Sequence, residues 1–219
     1  MPLIDVEQAR ANMVSQQILP WNMAHPLVLH LMGDVKREDF VPRAYRSLAF
    51  ADISVPISHG QVMLTPAVQA RLLQDAAVRP TDRVLEVGTG TGFMTAVLAH
   101  MAQSVVSLEI NHQLAATARV NLQRAGIHNC DIQNVDGALV VVPGAFDVIV
   151  LGGSVLEAPA ILLDQLKEGG RLVGILGDEP LMQASVITRT GSASFSTVSS
   201  WSTVAPALQN FKRASTFRF

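Results

Sequence analysis

Glu86-Val87-Gly88-Thr89-Gly90-Thr91-Gly92-Phe93 is the stretch on which the reading of this chain turns. The run Val84-Leu85-Glu86-Val87 has the length of a short buried strand, and residues 95–101 behind it read as a helix. A strand that passes through glycines into a helix brings backbone N–H groups and the positive end of the helix close to a ligand. A tight strand-to-helix turn with no ligand would use the same glycines, so the surroundings must decide. Spacing is the first of them. A dinucleotide fingerprint, G-x-G-x-x-G, would put its third glycine at Phe93, and the G-K-[ST] ending of a phosphate loop is missing.

Three acids stand at the ends of successive expected strands. Glu86 lies two residues before the first glycine, and Glu109 follows it by 23 positions at the end of a strand over 104–110. Asp136, followed by Gly137, comes just after a strand over 130–135. Carboxylates accept hydrogen bonds, so they suit a ribose diol, an amino group or an adenine amine, and they do not suit a pyrophosphate. NAD also carries ribose diols; the glycine spacing decides against it. Together these features point to S-adenosylmethionine. Any one of the acids alone could equally end a strand or cap a helix.

On either side of the glycines, residues 82–177 alternate strand and helix. Helices are expected over 95–101, 113–125 and 158–167, and further strands over 146–151 and 171–176. Such alternation means βαβ units and a parallel sheet. Residues 1–80 are helix-like and punctuated by proline, with helices over 6–17, 26–32 and 66–77; Gly33 and Asp34 mark the expected end of the second. Residues 181–219 are rich in serine and β-branched residues, with strands over 185–190 and 195–204. In the last of these the large apolar residues recur every third position, a spacing that fits neither strand nor helix, so composition decides. The expectation is one domain, 1–219: an N-terminal helical cover (1–80), a cofactor-binding core (82–177) and a β-rich C-terminal part (181–219).

Composition agrees with that frame. The 219 residues are 49% hydrophobic and only 16% charged, with a formal net charge of −2 and a mean hydropathy of +0.31. Length fits one sizeable core. The near-neutral balance argues against a protein built to grip nucleic acid or an anionic membrane. Apolar surplus could suggest a membrane span, yet the most apolar stretch, 146–163, is broken by Asp147, Glu157, Pro159 and a Gly-Gly pair. A parallel sheet covered on both faces accounts for the surplus instead. The lone Cys130 excludes an internal disulfide, and the N-terminus lacks a basic-then-apolar leader, so a cytoplasmic protein is expected.

The sequence resembles the class I S-adenosylmethionine-dependent methyltransferases, and more closely the protein-L-isoaspartate O-methyltransferase family. Matching stretches are Arg37-Glu38-Asp39-Phe40-Val41-Pro42, His59-Gly60-Gln61 with Pro66, the glycine segment, Asn121-Leu122 and Ala125-Gly126. Asp136-Gly137, Phe146-Asp147-Val148-Ile149 and Leu166-Lys167-Glu168-Gly169-Gly170-Arg171-Leu172 complete them. The resemblance implies a Rossmann-like α/β fold, a mostly parallel central sheet with helices on both faces, and methyl transfer from S-adenosylmethionine to the carboxylate of an L-isoaspartyl residue in a protein or peptide. It further implies that Glu86 and the backbone of Gly88, Gly90 and Gly92 hold the methionine moiety, that Glu109 takes the ribose hydroxyls, and that Asp136 and Gly137 meet the adenine. Residues 61–65, with Val62, Met63, Leu64 and Thr65, would line the methyl-transfer site.

One departure matters. Family members read G-Q-T-I-S at this loop, whereas this chain has Gly60-Gln61-Val62-Met63-Leu64, and both hydroxyls are gone. Thr65 carries a hydroxyl one position later. The alternatives are therefore the same fold acting on another carboxylate or a small-molecule hydroxyl, or a cofactor-binding homologue without repair activity. His59 is the one titratable residue of the loop, either a general base for a hydroxyl or amine substrate or a loop histidine bonded to backbone. His25, His30, His100, His112 and His128 lack metal-ligand spacing, and no metal is expected. Ser154 lacks a nucleophile elbow. Cys130, Trp21 and Trp201 read as packing residues. Oligomeric state is left open.

Overall fold

The computed structural model describes residues 5–23 and 25–211. Positions 212–219 of the expected C-terminal part, and positions 1–4 of the expected N-terminal cover, lie outside the described residues.

The N-terminal cover opens with α1 (Val6–Asn12), capped by the Asp5 carboxylate on Gln8 N–H, and widens into a π-helical turn over Met13–Ile18. Helix α2 (Pro26–Asp34) begins on proline, where no N–H is missed, and His25 Nδ1 accepts the Val28 N–H at 3.4 Å. It runs through Gly33 rather than stopping there. A Cβ at Gly33 would stand 3.7 Å from Val14, an ordinary contact, so neither packing nor a C-cap demands glycine there. Short 3-10 turns at Arg37–Asp39 and Arg43–Leu48 lead to a small hairpin, β1 (Val55–Pro56) against β2 (Val62–Met63), and then to α3 (Pro66–Ala76).

The remaining elements are β3 (Arg83–Val87), α4 (Phe93–Met101), β4 (Ser104–Leu108), α5 (His112–Arg124), β5 (Cys130–Gln133), β6 (Phe146–Val155), α6 (Ala160–Leu163), β7 (Leu166–Leu176), β8 (Gln183–Arg189) and β9 (Phe195–Ser202). The seven-stranded sheet runs β5-β4-β3-β6-β7-β8-β9. The five strands from β5 to β7 are parallel, and β8 and β9 fold back antiparallel.

Alternation along these strands builds two cores. Val84, Val105, Val148, Val150, Val173 and Ile175 face α3, α4, α5 and the N-terminal cover. Leu85, Val87, Val106, Leu108, Ile149 and Leu172 face the other way. That second face is covered by the single turn of α6, by residues 140–142 and by the C-terminal segment. The expected 158–167 helix is therefore cut short. Gln165 and Leu166 are drawn into the sheet: Phe146 N–H donates to Gln165 C=O at 2.9 Å, and Val142 N–H to the Gln165 side chain at 2.8 Å. Strand β9 takes the 195–202 stretch despite its odd spacing, leaving Val198 exposed and Trp201 half-buried. Trp201 packs, with Arg71 over its ring at 4.8 Å and Asp75 accepting its N–H at 2.8 Å. Trp21 is instead exposed, because its segment runs along the outside of α3 and meets it through main-chain carbonyls, Trp21 C=O to Arg71 and Asn22 C=O to Gln74. Cys130 is half-buried against the first core. No helix among the described residues is long and apolar enough to cross a membrane.

The topology fixes where a ligand can sit. From β3 the chain steps outward to β4 and β5, then returns to place β6 on the other side of β3. The carboxyl ends of β3 and β6 thus flank the switch point of the sheet, where the chain leaves a crevice. The glycine segment is the loop that leaves β3 at that crevice.

Candidate active site

Gly88, Gly90 and Gly92 all adopt positive φ, at 96°, 56° and 93°. The turn therefore needs residues without a Cβ, which local sequence alone dictates. Contact with β6 adds a second requirement. A Cβ on Gly152 would stand 2.5 Å from the Gly88 carbonyl oxygen, so only glycine lets the two strand ends approach this closely. Gly152 was not among the expected site residues; its signal was the Gly-Gly pair inside an apolar strand.

Glu109 reaches back from the end of β4 to the glycine turn. Its carboxylate accepts Gly90 N–H at 2.8 Å and Asn111 N–H at 2.9 Å. Burial raises its pKa above the usual carboxylate range, against the pull of those N–H donors. A carboxylate offers about four lone-pair positions and two are used here, so acceptor capacity remains for ligand hydroxyls.

Asp136 accepts Ala138 N–H at 2.9 Å, and a Cβ on the adjacent Gly137 would collide with Val87 at 2.7 Å. A contact the sequence did not announce holds its other oxygen: Asn210 donates to it at 2.7 Å. The same C-terminal segment bridges to Ser154 by backbone hydrogen bonds, and Leu208 lies over Gly88 and Gly153. Asn210→Ala should free one acceptor of Asp136 for an adenine amine. Calorimetry should then show S-adenosylmethionine binding about fivefold more tightly, the worth of one hydrogen bond of ~1 kcal/mol. Unchanged affinity would mean the Asn210 contact does not compete.

Glu86 is placed differently from the expectation. Its side chain is fully buried beneath α4, where Thr95 Oγ1 and Ser107 Oγ both donate to Oε2, the latter at 2.7 Å. Its carboxylate is not among the groups lining the cleft beside the glycine turn. Burial pushes its pKa up to about 7, with the two hydroxyl donors opposing and Glu109 adding to the rise. Its alternation with Leu85 and Val87 sends it to the face covered by α4.

The loop over the glycine turn is set by β2. Val62, Met63 and Leu64 line a narrow cavity of about 30 Å³ together with Gly88, Gly90 and Thr91. Leu64 is buried and brings no hydroxyl. Thr65, expected at the reacting centre, is not among the residues lining this cavity, and its Oγ1 accepts Val68 N–H at 3.3 Å as the N-cap of α3. His59 is exposed, and its Nε2 pairs with Gln113 at 2.6 Å rather than with backbone. It does not line the cavity. Thr89 and Thr91 do; Thr89 Oγ1 is paired with Ser107 Oγ, whereas Thr91 Oγ1 is buried without a partner among the described residues, as is Glu86 Oε1. Unpaired buried polar atoms are costly, so this hydroxyl and the spare lone pairs of Glu109 fit a ligand rich in amino and hydroxyl groups.

Comparison with known proteins adds to this geometry. The family profile described as protein-L-isoaspartate(D-aspartate) O-methyltransferase (PCMT) matches residues 8–205. A protein-L-isoaspartate O-methyltransferase of Koribacter versatilis is 39% identical over 82% of this chain and 81% of its own length. Another, of Marinobacter nauticus, is 38% identical over 87% of this chain and 88% of its own. A solved structure from Plasmodium falciparum, described as this methyltransferase in complex with S-adenosyl-L-homocysteine, aligns with a TM-score of 0.76. It is 22% identical and covers 93% of this chain and 97% of that one, a likeness that speaks to the fold.

Proposed function

The chain belongs to the protein-L-isoaspartate O-methyltransferase family, and we propose accordingly that it methylates the free carboxylate of L-isoaspartyl residues in proteins or peptides. S-adenosylmethionine, when bound, supplies an electrophilic methyl group on a sulfonium. The observation that carries this reading is the convergence at the switch point of the glycine turn and residues 62–64 around one cavity, with Glu109 holding the turn from behind through Gly90 N–H.

The residues divide the work in a definite way. Glu109 is suited to ribose hydroxyls, Asp136 with the Gly137 backbone to the adenine, and the glycine turn with Thr91 to the amino-acid end. Val62, Met63 and Leu64 close the cavity and exclude water. An acceptor carboxylate is already ionised near neutral pH, so no side chain has to remove a proton. That is in keeping with His59 being engaged elsewhere. In the transfer the S–CH3 bond breaks as an O–CH3 bond forms, and sulfur keeps the electron pair. What the protein contributes is proximity and in-line orientation.

Methyl transfer to an isoaspartyl peptide, compared with other carboxylates and small-molecule hydroxyls, tests the proposal. Transfer to one of those with none to the isoaspartyl peptide would overturn it. Leu64→Ser should raise kcat/KM on that peptide about tenfold, since a hydroxyl donor to a carboxylate contributes ~1.5 kcal/mol. A wild type that already turns over fast and a Leu64→Ser variant that matches it would remove any role for side chain 64.

A further inference from the structure

Arg37 is the largest fully buried side chain among the described residues, and no step above uses it. Its guanidinium spends each nitrogen on a different segment. Nε donates to Ala49 C=O at 3.0 Å, Nη1 to the Gln69 side chain of α3, and Nη2 to Leu64 C=O at 2.7 Å. Its flat face lies 4.9 Å from the ring centroid of Phe93, the first residue of α4 after the glycine turn. Among the described residues it forms no salt bridge; Asp52, which favours its charge from a distance, is bonded to Ala67 N–H. Burial lowers its pKa to about 9.

Burying a cation without a paired carboxylate is expensive, and an apolar side chain would fill the same volume at lower cost. What an apolar side chain cannot do is hold three acceptors from three separate segments in one plane. Two of those contacts end on residues that line the cavity, Leu64 and Gln69, and so does the ring it stacks on. The loop has lost the side-chain hydroxyls that could orient an acceptor, so the placement of its main chain matters more.

We propose that Arg37 is a positioning residue for methyl transfer: by tying Leu64 C=O, the Gln69 amide and the Phe93 ring together, it fixes residues 62–64 over the glycine turn. This rests on the methyl-transfer reading of that cleft. Its charge is not the useful part. Transfer of a methyl from a sulfonium to a carboxylate removes one positive and one negative charge, so a nearby cation's attraction for the carboxylate is offset by its repulsion of the sulfonium and gives the transition state no net help. The fork geometry is the useful part, and lysine lacks it.

Arg37→Lys in the full chain separates these roles. The kcat for an isoaspartyl peptide should fall about thirtyfold, the scale of a sub-ångström to 1 Å misplacement, with peptide KM and S-adenosylmethionine Kd within about threefold of wild type. A kcat within about threefold of wild type would overturn the proposal. So would a fall matched by equal losses of cofactor affinity and Tm, which would make Arg37 a support of the fold only. Should Arg37→Lys not fold, Gln69→Leu removes one acceptor and leaves the guanidinium; it should lose about tenfold in kcat, and Gln69→Glu should recover it. Equal kcat values for Gln69→Leu and Gln69→Glu would overturn the proposal as well. A wild type that binds S-adenosylmethionine but does not methylate the peptide defeats the functional reading instead. Amide hydrogen exchange then decides for Arg37. Residues 61–65 should exchange at least about tenfold faster in whichever variant folds, with 83–87 unchanged, and equal rates over 61–65 would overturn the positioning role.

Discussion

Glu109→Ala is expected to raise the dissociation constant for S-adenosylmethionine on the order of 100-fold, with kcat on any acceptor changed far less. Two effects add. The carboxylate is the acceptor we propose for ribose hydroxyls, and hydrogen bonds to a charged group contribute ~1.5–3 kcal/mol each. It also holds Gly90 N–H at 2.8 Å, so its loss frees the middle of the glycine turn. Glu109→Gln should fall between, because the amide keeps one acceptor oxygen and turns the other into a donor. Calorimetry on the three proteins measures both effects. Affinity within about threefold of wild type in Glu109→Ala would show that the turn binds its ligand without this side chain.

Glu86→Gln is expected to stabilise the protein at alkaline pH and to flatten its pH dependence. Burial beneath α4 raises the Glu86 pKa from an ordinary 4.5 to about 7 in the folded protein. Between those values the folded chain holds a proton that the unfolded chain releases, so stability falls as pH rises through that window. The stability contribution is complete below the unfolded value and lost above the folded one. The penalty at pH 8 is on the order of 3 kcal/mol. The amide introduced by Glu86→Gln would imitate the protonated acid, its carbonyl accepting from Thr95 and Ser107 as Oε2 does now. Melting at pH 5 and pH 8 is the measurement: Tm of wild type should drop by several degrees between the two relative to the variant, at about 2–4 °C per kcal/mol for a chain of this size. Parallel pH curves for the two proteins would mean that Glu86 is ionised without cost.

How much of this was legible beforehand differs by kind of feature. The alternation of strands and helices, the glycine turn and the acids at the strand ends could be read directly, because each depends on residues a few positions apart. The helix over 158–167 could not be bounded, since its end was set by pairing of 165–166 with β6, a partner 20 positions away (166 − 146). Thr65 illustrates the same limit at the site. Its hydroxyl was available on paper, and the N-terminus of α3 takes it as a cap. Glu86 was read from its place before the glycines, while the packing of α4 and β4 over it supplied the partners that hold it, Thr95 and Ser107.

Periodicity, turn chemistry and residue identity are local, so the class of fold, the position of the ligand crevice and the loss of hydroxyls at 62 and 64 all follow from the order of the residues. Which groups meet across that crevice follows from the packed fold instead: Arg37 with Leu64, Asn210 with Asp136, Gly152 against Gly88. Each of those pairs is more than 25 positions apart in the chain. Hydrogen bonding and close packing act over a few ångströms of space, and chain folding alone brings such residues within that range.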